Sequence, residues 1–176
     1  HRDIKPDNIM VGDFGEVLLM DWGVAKPQSL DTMSNSSDHN VLPPMNVERA
    51  EETLDGLVVG TPGFMAPEQA RGATSLIDHR SDIWALGATL YTVLTGSVPF
   101  ARDTIVATLV ATVREPLEKP SQRRPDEDIP PDLDEICMRA LQKRPENRYQ
   151  SVQQFRSDIE EFVTGALEKR RRSEEA

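Results

Sequence analysis

The stretch Asp82-Ile83-Trp84-Ala85-Leu86-Gly87-Ala88-Thr89-Leu90-Tyr91-Thr92-Val93-Leu94 is apolar on nearly every side of a helix and rich in helix formers. A helix of that kind offers no face to water, so other elements must enclose it. Ser81 stands where an N-cap belongs, and Gly96-Ser97-Val98-Pro99-Phe100 ends the helix and turns the chain. Three amphipathic segments supply the cover. Residues 103–114 carry Ile105, Val106, Leu109, Val110 and Val113 on one stripe. Residues 132–143 carry Leu133, Ile136, Cys137, Ala140 and Leu141 behind Asp132 as a cap. The last segment, 151 to about 168, lines up Val152, Phe155, Ile159, Phe162 and Val163. A Pro-rich, charged connection over 114–131 joins the first two of these. The expected fold is mostly α, wrapped around 81–94.

Chemistry concentrates elsewhere. The amino end reads His1-Arg2-Asp3-Ile4-Lys5-Pro6-Asp7-Asn8, and later comes Gly60-Thr61-Pro62-Gly63-Phe64-Met65-Ala66-Pro67-Glu68. The first resembles the catalytic loop of protein kinases, H-R-D followed five residues after the Asp by Asn; the second resembles the G-T-x-x-Y/F-x-A-P-E close of a Ser/Thr kinase activation segment. By that resemblance Asp3 acts on the proton of the substrate hydroxyl and Asn8 holds Mg²⁺. The residue types suit the tasks: a carboxylate for a proton, a hard amide oxygen for a hard cation. Lys5 is the choice typical of Ser/Thr kinases and offsets charge on the transferred phosphoryl group of ATP. Thr61 is implied to bridge Asp3 and Lys5 through its hydroxyl, with Phe64 and Met65 as an apolar shelf for the substrate residue after the acceptor.

Kinases carry D-F-G after the catalytic loop, and this chain offers both Asp13-Phe14-Gly15 and Asp21-Trp22-Gly23. The apolar runs 9–11 and 16–20 flank a Gly/Asp segment and predict a β-hairpin over 9–20. With residues 12–15 as the turn, residue 11 faces 16 and residue 8 faces 19, so Asp21 returns beside Asn8. Asp13 then lies at the far tip, on the order of 13 Å away for four residues of strand. Asp21 is therefore the expected Mg²⁺ ligand, with Trp22 filling the apolar slot that the family gives to Phe.

The implied activation segment runs from Asp21 to Glu68. Its first half, 28–46, is polar and without apolar periodicity, which reads as a loop. In the family an Arg before the catalytic Asp pairs with a phosphorylated residue of this segment. Arg2 is that Arg, and Thr53 is the candidate acceptor ahead of Ser36 and Ser37, with Asp55 as a fixed charge beside it. Glu68 needs a buried partner, and Arg148 stands where the family supplies one. Asp82 is implied to bind the backbone of the catalytic loop.

Composition sets the outer bounds. A formal net charge of −10 argues against a nucleic-acid partner, because a phosphate backbone would be repelled. A single cysteine, Cys137, excludes a disulfide framework and reads as a buried thiol in a reducing cytoplasm. No apolar run reaches membrane-spanning length. His39 and His79 lack partners at metal-ligand spacing. Lys169-Arg170-Arg171-Arg172 reads as a solvated tail, with a juxtamembrane stop as the alternative. Residues 1–176 contain no Gly-rich phosphate loop, V-A-I-K lysine or Glu-bearing helix. The expectation is thus the C-terminal lobe of a bacterial-type serine/threonine kinase domain over 1–165 with a charged tail over 166–176. It would need the N-lobe of the same kinase, be inactive alone, and have any membrane anchor elsewhere. A pseudokinase or docking scaffold would usually lose one of Asp3, Lys5, Asn8 or Asp21, and none is lost. A small-molecule phosphotransferase would not need the Gly60–Glu68 shelf.

Overall fold

The computed structural model describes residues 1–26 and 60–174, with side chains through Ala166. Its elements are strands β1 (Ile9–Val11) and β2 (Val17–Leu19), then helices α1 (Pro67–Ala70), α2 (His79–Thr95), α3 (Ile105–Arg114), α4 (Pro120–Arg123), α5 (Pro131–Ala140) and α6 (Val152–Glu174). Mostly helical, with one small antiparallel sheet, it matches the expected class.

α2 is the axis. Ile83, Trp84, Ala88 and Tyr91 are almost fully buried. Trp84 stacks on Phe100 at 6.3 Å, within a core that includes Phe64, Ala111, Cys137 and Leu141. A second cluster joins Ile83 to Ile136, Ala140, Tyr149 and Phe155, so α5 and α6 close over the other side. α2 and α5 pack tightly because residue 87 has no side chain: a Cβ there would sit 2.6 Å from that of Ala140. The helix stops at Gly96, whose φ of 72° a side-chain-bearing residue adopts only at a cost.

The cap of α2 is Asp78, not Ser81: the Asp78 side chain accepts from Arg80 N at 2.8 Å. Both residue types cap well, and the phase of the helix put Ser81 one turn inside, buried. Likewise α5 begins behind Pro130 with no side-chain cap, and Asp132 lies in its first turn, where the dipole favours an acid. The expected connection 114–131 contains α4, whose Ser121 N donates to the buried Asp134 carboxylate at 3.0 Å. α6 runs past the expected end near 168 to Glu174. Val152 and Val163, expected in the core, are 42% and 47% exposed, because only part of its stripe meets α5.

Cys137 is fully buried, and burial pushes its thiol up to about 12. The thiolate is the reactive form, so iodoacetamide at pH 8 should leave the native chain unlabelled and modify it fully in denaturant. Mass spectrometry reads both states directly.

Candidate active site

The hairpin delivers the site. β1 and β2 pair antiparallel as Ile9↔Leu19, Met10↔Leu18 and Val11↔Val17. The register differs by one from the expected pairing, since the loop spans five residues, closed by Gly12 N donating to Glu16 O at 2.8 Å. Met20 N then donates to Asn8 O at 2.8 Å, which fixes Asp21 as the next residue beyond the rung at Asn8. Asp13 lies in the loop at the far end of the ladder, beside the fully exposed Phe14. The topology therefore brings Asp21 back to Asn8 and carries Asp13 away. Asp21 takes a left-handed backbone, φ 57°, and its Oδ1 accepts from Gly23 N at 3.3 Å. Asp is among the few side chains that visit this region readily.

Asp3 is held on three sides. Thr61 N donates to its Oδ1 at 2.8 Å, Lys5 Nζ lies 3.4 Å from Oδ2, and Asn8 Nδ2 approaches Oδ2 at 3.3 Å. Thr61 does bridge Asp3 and Lys5, but through two different atoms: its hydroxyl accepts from Lys5 Nζ at 2.6 Å, while its main-chain nitrogen binds Asp3. Asn8 also donates through Nδ2 to Asp3 O at 2.8 Å. That bond commits Nδ2, and among the described residues Oδ1 makes no hydrogen bond, which leaves a hard oxygen of the kind a hard cation requires. Among the described residues no three His, Cys, Asp or Glu converge as a metal cluster; Asn8 and Asp21 are the oxygen-bearing side chains that the hairpin returns to neighbouring positions.

The loop is braced from below. Asp82 accepts from the main-chain nitrogens of His1 at 2.9 Å and Arg2 at 2.8 Å, as its expected role requires. Arg2 has φ 72°, its Nε donates to Val24 O at 2.6 Å, and its carbonyl accepts from Gln69 Nε2 at 2.9 Å. Gln69 was not foreseen. Its Oε1 caps α1 by accepting from Ala66 N at 3.1 Å, so one side chain ties the start of α1 to the loop at His1–Asn8 across 67 residues. A Gln three residues past a helix start is the local signal for that cap; the reach to Arg2 has none.

Glu68 and Arg148 meet as expected, in a fork with both N···O distances 2.7 Å and both side chains buried. Ser81, unfilled as a cap, is the third member: its hydroxyl donates to Glu68 Oε1 at 2.6 Å. Arg148 also donates to the carbonyls of Arg80, Gln142 and Lys143, and its guanidinium lies 5.1 Å over Trp84.

Two expectations fail. Phe64 and Met65 are 8% and 2% exposed and enter the core and a cluster with Leu109, so they form no open shelf. Their bulk is better spent inside, and Pro62 and Gly63 are left nearer the surface. Trp22 fills no apolar slot: it is 60% exposed, its ring edge against His1 at 4.8 Å and its Nε1 donating to Leu19 O. Thr53, Ser36, Ser37, Asp55 and His39 lie outside the described residues. His79 binds the main-chain oxygen of Gln150 at 3.0 Å.

Residues 1–159 match the family described as protein kinase domain. The chain is 38% identical over 168 residues to serine/threonine-protein kinase PknD of Chlamydia caviae, covering 96% of itself and 17% of that protein. It is 40% identical over 159 residues to serine/threonine-protein kinase PknB of Mycolicibacterium smegmatis, covering 90% of itself and 22% of the relative. Against serine/threonine-protein kinase pkn3 of Myxococcus xanthus it is 39% identical over 178 residues, 98% of itself and 28% of that protein. The chain thus spans between about a sixth and just over a quarter of the length of these relatives. With its catalytic-loop pattern, its buried Glu68–Arg148 fork and a family match over 1–159, the chain belongs to the protein kinase domain family, of the bacterial serine/threonine type.

Proposed function

We propose that the chain forms the catalytic lobe of an enzyme that moves the γ-phosphoryl group of ATP to serine or threonine hydroxyls of proteins. The carrying observation is the three-sided hold on Asp3 by Thr61, Lys5 and Asn8. In this reading Asp3 takes up the hydroxyl proton and orients its oxygen, and Lys5 sets a positive charge beside the transferred group. Asn8 Oδ1 and the Asp21 carboxylate would hold Mg²⁺, which supplies neutralisation of phosphate charge when bound. Arg2, beside the catalytic Asp, is assigned to receive a phosphorylated Thr53. Asp82, Glu68 and Arg148 hold the frame.

The hairpin supports a further element of the reading. Met10 and Leu18, paired on one face of the hairpin, and Trp22 beyond it are 50%, 55% and 60% exposed, an apolar surface suited to a second lobe. That lobe would bring the Gly-rich loop and lysine, and residues 1–176 would be the C-terminal lobe beneath it. ATP supply and the lone buried thiol fit a cytoplasmic reaction. No helix of the described residues is long and apolar enough to cross a membrane.

The two D-x-G sequences give the test. In the full-length protein, Asp21→Ala should reduce phosphoryl transfer to a Ser/Thr peptide by about 10²-fold or more. Asp13→Ala, an exposed loop change, should leave it within about twofold. Loss of activity at Asp13 with retention at Asp21 would overturn the site, and transfer to tyrosine alone would overturn the substrate class.

A further inference from the structure

Lys143, in the turn that follows α5, is half-buried and runs its side chain in beneath the end of α3. Its Nζ stands 3.7 Å from the centre of the Phe100 ring and 5.6 Å from that of Trp84. It donates to Thr112 O and, at 3.4 Å, to Ala111 O. Both carbonyls belong to the last turn of α3. Residue 116 is a proline, so no main-chain N–H is available there to close a bond to Thr112 O, and Lys143 supplies the missing donor.

The surroundings give this amine little reason to stay charged. Among the described residues Nζ forms no ion pair: Glu115, the acid that acts on it, is bound by Arg102. Arg71, just past α1, opposes its charge, and the Arg148 guanidinium lies 5.1 Å over the same Trp84 ring. Ring faces and carbonyls favour the ammonium form. Loss of water on burial outweighs them, Arg71 adds to it, and the amine is brought down to about 8. The neutral amine is the nucleophile, so a sizeable share is reactive near neutral pH, where an ordinary surface lysine is almost all ammonium.

We propose that Lys143 is an acylation site, taking its acyl group from small acyl phosphates, and that acylation unfastens the end of α3. The Nζ lone pair attacks the acyl carbon, the C–O bond to phosphate breaks, inorganic phosphate leaves and the amine's proton passes to water. The exposed Arg71 suits a phosphate leaving group. The resulting amide is uncharged and keeps one N–H, so it cannot serve both carbonyls or hold a cation over the rings.

Acetyl phosphate on the full-length protein, with peptide mass spectrometry of each lysine, tests this. At about pH 7.5 Lys143 should acetylate about tenfold or more faster than the exposed Lys26 and Lys119. Its rate should climb with pH through a midpoint near 8 and then level off, while Lys26 and Lys119 go on climbing. After acetylation the amides of α3 should exchange with deuterium about tenfold or more faster. Lys143→Arg, which keeps the charge and the donors, should show no such change after the same treatment. A Lys143 rate no greater than those of Lys26 and Lys119, a midpoint at the ordinary lysine value of about 10, unchanged α3 exchange after acetylation, or the same change in Lys143→Arg overturns the proposal.

Discussion

Alanine at Glu68 should lower the free energy of unfolding by about 3–5 kcal/mol, the range for stripping one partner from an enclosed ion pair. The guanidinium of Arg148 would keep its carbonyl acceptors but lose both 2.7 Å bonds to the carboxylate, with 0% of its side chain open to water. Ser81 would lose its acceptor as well. Water does not reach the site to compensate, so the cost is that of a desolvated cation beside a void. Urea unfolding followed by circular dichroism measures it. Arg148→Ala should cost a similar amount, and the double variant less than the sum, because the second change removes a charge already stranded. Two solvated charges would give changes below about 0.5 kcal/mol and additivity.

Asparagine at Asp3 should lower kcat of the full-length enzyme by about 10²–10⁴-fold, the usual worth of a positioned proton acceptor. The amide oxygen can still accept from Thr61 N, whose bond to Asp3 is 2.8 Å, so the loop keeps its shape. What goes is the negative charge that takes the proton and faces Lys5 at 3.4 Å. KM for ATP should change little, since Asn8 and Asp21 are untouched. Steady-state kinetics with a Ser/Thr peptide checks the split; a loss under tenfold, or one entirely in KM, would remove Asp3 from its assigned role.

Residues whose roles depend on local spacing were legible in the sequence. The choice of Asp21 over Asp13 rested on the hairpin's arithmetic together with the site and spacing that the family resemblance implies, and survived a one-residue error in register because Asp21 follows Met20, which the ladder ties to Asn8. Glu68 and Arg148 were foreseen because a buried acid demands a cation and the family resemblance places that cation at Arg148. Tertiary geometry was not legible. Ser81 and Asp78 both cap helices well, and only the packed phase of α2 sends one inward to Glu68. Phe64 and Met65 read as surface aromatics and aliphatics in a Pro/Gly turn, yet the Pro62–Phe64 turn points them at α2 and α3. Gln69 reaches Arg2 across 67 residues, a distance at which no periodicity speaks.

Arg2 sits at φ 72°, gripped by Asp82 at its nitrogen and Gln69 at its carbonyl. Such a backbone costs about 1–3 kcal/mol for a residue with a Cβ. Glycine there would release that tension but add about 0.5–1 kcal/mol of freedom to the unfolded chain. Losing the guanidinium's bond to Val24 costs about 0.5–1.5 kcal/mol more, so gain and losses are of similar size and a screen that ranks variants by melting alone would pass Arg2→Gly as neutral. Selection for heat resistance is blind at this position; under the role proposed for Arg2, a screen that scores turnover keeps the arginine.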